Sequence, residues 1–100
     1  MVAIGITTEG YIKEFECSDG ILHCYSKDLV SLEIPEGVIY VSCYNNLLTE
    51  LKVPEGVKRI WCWGNKLSKL ILPDSVTMLC CDKGVSGLEE FIDKVNIDLW

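Results

Sequence analysis

A self-similarity of nineteen residues constrains this chain more than any other feature. At that period Pro35, Pro54 and Pro73 coincide, and so do Cys24, Cys43, Cys62 and Cys81. Leu29, Leu48 and Leu67 form a further column, as do Leu32, Leu51 and Leu70. Val38, Val57 and Val76 make another, and Leu22, Val41, Ile60 and Leu79 complete the set. A unit this short cannot bury its own apolar face, so successive units must stack, and the pattern predicts a solenoid.

The best-formed units read "VIYVSCYNNLLTELKVPEG" and "VKRIWCWGNKLSKLILPDS". Their common form is V-x-x-V-x-C-x-x-N-x-L-x-x-L-x-x-P-x-x. It resembles the leucine-rich repeat, L-x-x-L-x-L-x-x-N/C-x-L, with cysteine in the third leucine position. The short unit and the "VPEG" and "LPDS" segments are similar to the short bacterial class of that family. The resemblance covers roughly residues 19 to 88 and fades toward both ends. It implies an α/β solenoid with about four short parallel strands on a concave face. The returning segments must be extended chain, because a helix with its turns does not fit the unit.

Alternation within each V-x-C strand sends Val41 and Cys43 inward, and Ser42 and Tyr44 outward. Asn46 and Asn65 are expected to turn the chain and to satisfy backbone groups inside the turn. Lys27 and Gly84 take their place in the outer units. From Ser86 the sequence reads "SGLEEFIDKVNIDLW", with Leu88, Phe91, Ile92 and Val95 at helical spacing. Ser86 and Glu89 resemble a capping box. This segment, residues 86–100, is therefore expected to form a capping helix. Residues 1–18 form an N-terminal cap, read as a hairpin or irregular segment from Val2, Ile4 and Ile6, then Tyr11, Lys13 and Phe15. The repeats occupy 19–85, and the whole chain, 1–100, is one domain.

The formal net charge is -6, which argues against nucleic acid as a partner. No apolar run is long enough for a membrane helix, and the N-terminus does not resemble a signal peptide. The expected compartment is the cytoplasm, where thiols stay reduced. The column Cys24, Cys43, Cys62, Cys81 is read as small apolar core filling rather than a metal site. Stacked neighbours lie in a line, whereas zinc needs tetrahedral ligands. No cofactor is implied. Cys17 and Cys80 fall outside the column, and either would be reactive only if exposed.

The outward strand positions read Ile21, Tyr40, Arg59, Met78; then His23, Ser42, Trp61, Cys80; then Tyr25, Tyr44, Trp63, Asp82. Aromatics and arginine are the residue types that dominate binding hot spots. The expected binding residues are Tyr25, Tyr40, Tyr44, Arg59, Trp61, Trp63, His23 and Met78. His23 is the one histidine, and no nucleophile–base–orienter set accompanies it, so no enzyme is expected. The expected function is a non-catalytic protein-protein interaction module, a bacterial or viral inhibitor or adaptor that binds a protein or peptide. The alternative is a self-associating structural protein that homodimerises through the same face.

Overall fold

The computed structural model describes residues 1–100. Strand β3 (Ile21–His23), β5 (Tyr40–Ser42), β7 (Arg59–Trp61), β9 (Met78–Cys81) and β10 (Asn96–Leu99) form one parallel sheet in the order β10-β9-β7-β5-β3. Tyr40 stands opposite Arg59, and Arg59 opposite Met78, so the register follows the sequence columns. The returning segments carry β4 (Leu29–Glu33), β6 (Glu50–Lys52) and β8 (Lys69–Ile71). β6 and β8 pair in parallel, Leu51 beside Leu70. β1 (Val2–Thr7) and β2 (Ile12–Glu16) form an antiparallel hairpin, and β1 pairs with β4 to give the sheet β2-β1-β4.

The core lies between the strand walls. Leu22, Val41, Ile60 and Leu79 are fully buried, as are Cys24, Cys43, Cys62 and Cys81. Leu29, Leu48, Val38 and Val57 fill the other side. Each coil turns twice. One corner uses left-handed backbone at Ser26, Asn45 and Gly64 (φ 53°, 55° and 72°), one position repeated through three coils. The other uses Gly37 and Gly56 after the prolines. Such backbone suits glycine and asparagine best.

The expected asparagine turns are present. Asn46 Oδ1 accepts from the Lys27 and Leu29 N–H groups at 2.9 and 3.1 Å. Its Nδ2 donates to the carbonyls of Cys24 and Cys43 at 2.9 and 3.0 Å. Asn65 repeats this one coil later, accepting from Leu48 N–H and donating to Cys43 and Cys62 carbonyls, each at 3.0 Å. One amide thus ties two adjacent coils together.

The α/β assignment is overturned. The molecule is all-β, and its only helical element is a single 3-10 turn, Glu89–Phe91. The expected C-terminal capping helix at 86–100 is absent. Ser86 caps nothing: its hydroxyl donates to the Ser68 carbonyl at 2.7 Å, and Ser86 bridges to Lys69. Leu88 and Val95 are buried and Phe91 packs against the core, whereas Ile92 is 64% exposed. The helical spacing therefore marks core contacts made by an irregular coil. After Val95 the chain alternates with period two and pairs with β9, Ile97 beside Leu79. Open β9 edge groups would otherwise face water, and one more parallel strand satisfies them.

Candidate interaction face

The outward side chains of the five-stranded sheet form the candidate site. Alternation places Leu22, Val41, Ile60 and Leu79 inside, so their strand neighbours face out. His23, Tyr25 and Arg59 are exposed; Tyr40, Tyr44, Trp61, Trp63 and Met78 are half-buried. All eight expected residues therefore lie on one sheet face or on its continuation beyond the strand ends.

The column at the strand ends is a continuous ring stack. Tyr25 lies on Tyr44 at 4.8 Å between centroids with planes 5° apart. Tyr44 lies on Trp63 at 4.7 Å and 10°. Trp63 lies on Trp100 at 4.7 Å and 8°. The strand spacing of about 4.8 Å matches the centroid separation of offset-stacked rings, so each coil can contribute one ring. His23 meets Tyr25 edge-on at 6.2 Å. Arg59 sits over the Tyr40 ring, its guanidinium carbon 5.6 Å from the centroid, within cation–π range. Trp61 takes no part in the stack and stands between this column and the Tyr40–Arg59 pair.

Asp82 occupies the next position in the ring column but does not interrupt it. Its carboxylate turns toward the loop and accepts from the N–H groups of Gly64 and Asn65 at 3.0 and 3.1 Å. That leaves room for Trp100 to lean across the Asp82 position and reach Trp63. Trp100 escapes a sequence reading that makes 86–100 a helix. The signal is nevertheless present: "VNIDLW" alternates, and Trp100 stands eighteen residues after Asp82.

Cys80 and Cys17 are both buried despite lying outside the core column. Cys80 is flanked in the sheet by Trp61 and Asp98. Burial raises its pKa, the Asp98 carboxylate adds to this, and the Trp100 side chain partly offsets it. Burial likewise raises Cys17. In the column, burial pushes Cys24 up to about 12 and Cys81 to about 11, and raises Cys43 and Cys62 well above the usual 9.0. All six are free thiols. A protonated, buried thiol is a poor nucleophile. No group of three or more His, Cys, Asp or Glu side chains is arranged to hold a metal ion.

Fold and face together define a class: a small β-solenoid of about four coils with a period near nineteen residues. Comparison with protein families, curated proteins and solved structures found no match. No helix is long and apolar enough to cross a membrane.

Proposed function

We propose that this protein is a non-catalytic binding module that engages another protein or a peptide through the aromatic face of its five-stranded sheet. The observation that carries this reading is the concentration of Tyr25, Tyr40, Tyr44, Arg59, Trp61, Trp63 and Trp100 on one wall of a narrow solenoid. Rings held by stacking lose little entropy on binding, so the face is preorganised for contact. Trp61 is the central anchor. It is half-buried, unstacked and flanked by Arg59 in its own strand. The ladder rings are its rigid border. The repeat consensus resembles that of leucine-rich repeats, and this resemblance of sequence, without their α/β fold, supports a binding role by analogy. Six free thiols support a reducing compartment such as the cytoplasm.

The test is affinity capture followed by titration of the captured protein against wild type and an Arg59→Ala/Trp61→Ala variant. Neither residue belongs to the ring stack, so the variant keeps its scaffold. Loss of about a hundredfold in affinity in a folded variant supports the face as the working surface. Equal affinity sinks the reading. A second reading, homodimerisation through this face, is favoured by Trp100, which is 59% exposed beside the free edge of β10. Sedimentation over a concentration series, repeated with Trp100→Ala, separates the two.

A further inference from the structure

The N-terminal sheet presents a second surface of different chemistry. Strand β1 buries Ala3, Gly5 and Thr7 and turns Val2, Ile4 and Ile6 into water, 37%, 42% and 38% exposed. This inverts the usual arrangement, in which the larger apolar side chains of a half-buried strand go inside. The inversion is enforced. A Cβ on Gly5 would stand 2.7 Å from Leu29 Cδ2 and 3.2 Å from Phe15 Cε2, so the inner face has no room for a larger residue. Outside, threonine would serve the strand as well as isoleucine and leave less apolar area in solvent. Register partners share a face, so Ile12, 72% exposed, extends the stripe beside Ile6.

Carboxylates border the stripe. Glu14 and Glu33 flank Ile4 from either side, and Glu16 flanks Val2. Glu16 pairs with the N-terminal ammonium at 3.3 Å, the only ion pair in the molecule. Glu14 and Glu33 therefore have no cationic partner. Lys13 stands opposite Gly5, on the other face of the sheet.

We infer that this outer face is a docking surface for a basic amphipathic helix, its apolar side on Val2, Ile4, Ile6 and Ile12 and its lysines or arginines against Glu14 and Glu33. Charge selects this occupant over a second copy of the chain. Two such faces brought together would oppose the uncompensated Glu14 and Glu33 of one copy to those of the other. A helix of about thirteen residues matches the length of a six-residue strand. This surface is separate from the aromatic face, and neither reading depends on the other.

The test uses a labelled peptide of leucine and lysine, about fourteen residues long, with leucines along one helical face. Fluorescence anisotropy is read on the full chain. Wild type is expected to bind it, more weakly at high salt. Ile4→Ser/Ile6→Ser should weaken binding about tenfold or more, and Glu14→Gln/Glu33→Gln several-fold. Glu89→Gln/Glu90→Gln, exposed in the 3-10 turn near the C-terminal end of the solenoid, should leave it unchanged. The glutamine variants alter exposed side chains only, so they remain decisive if the serine variant fails to fold. Equal weakening by both glutamine pairs would reveal attraction to net charge alone and overturn the proposal. So would a wild-type protein that dimerises through Ile4 and Ile6, or one that does not bind the peptide.

Discussion

Asn46 carries more structural consequence than any other polar residue in the chain. It is buried, and its one amide serves five backbone groups in two coils. Removing it leaves the Lys27 and Leu29 N–H groups and the Cys24 carbonyl without this partner, each orphan costing about 1–3 kcal/mol, while the Cys43 carbonyl keeps its bond from Asn65. Asn46→Ala should therefore lower stability by about 3 kcal/mol or more, read as a shift in urea midpoint. Asn46→Asp should help little, because an ionised carboxylate can accept from Lys27 and Leu29 but cannot donate to Cys24 and Cys43. Asn65→Ala should cost less, since Asn65 is only partly buried. The cysteine column makes a separate prediction. Folding holds these thiols protonated, and the unfolded chain releases their protons above the usual 9.0. Above that pH the folded state binds more protons, so stability must fall as pH rises. It is intact below about pH 9 and declines as pH rises through about 11, where Cys81 titrates, and about 12, where Cys24 does. Each fully titrating thiol contributes a slope of up to about 1.4 kcal/mol per pH unit. Urea midpoints at pH 8 and about pH 10.5, compared with a Cys43→Ala/Cys62→Ala variant, check this; a flatter profile in the variant is the expected result.

At the scale of single elements, the ring stack couples one coil to the next. A Tyr44→Ala/Trp63→Ala double-mutant cycle should give a coupling of about 0.5–1.5 kcal/mol, and no coupling would mean the rings stack without stabilising each other. Trp63→Ala or Trp100→Ala should also abolish the exciton signature in circular dichroism expected of two indoles 4.7 Å apart. The middle elements were legible in the sequence because every coil repeats the same local instruction. Val41 and Ile60 point inward where strand alternation puts them, and Asn46 and Asn65 turn the chain where the column places them. The C-terminal element was not legible because Leu88, Phe91 and Val95 satisfy two periodicities. Their spacing fits an amphipathic helix, but the same residues meet the core from an irregular coil that leads into β10. What decides between these is the open edge of β9, a long-range fact that no local window contains. Trp100 was lost to the site for that reason alone. The N-terminal alternation of Val2, Ile4 and Ile6 was visible, but not its direction. Gly5 against Leu29 sets that, across more than twenty residues of chain.

The whole molecule is a stack in which each coil touches chiefly its neighbours, and its stability should follow that one-dimensional logic. The interior coils share their corner backbone, their amide clasps and their ring, so an additional copy of one meets the same partners as the original. Duplicating residues 38–56, "VIYVSCYNNLLTELKVPEG", directly after Gly56 preserves the junction, because Val38 and Val57 both follow the sequence Pro-Glu-Gly. The longer chain gains one asparagine clasp, one buried cysteine, one tyrosine in the ring stack and one full coil-to-coil interface. It should fold, show the same all-β circular dichroism and unfold at a higher urea concentration with a larger m-value, since more surface is exposed on unfolding. The aromatic wall would lengthen by one strand spacing, about 4.8 Å, while the acidic-rimmed sheet at the N-terminus stays as it is. A partner that spans the whole wall would then lose affinity, whereas one held locally at Trp61 and Arg59 would keep it. A duplicated chain that failed to fold would show that the coils are not interchangeable and that the hairpin and β10 fix the number of coils from the ends.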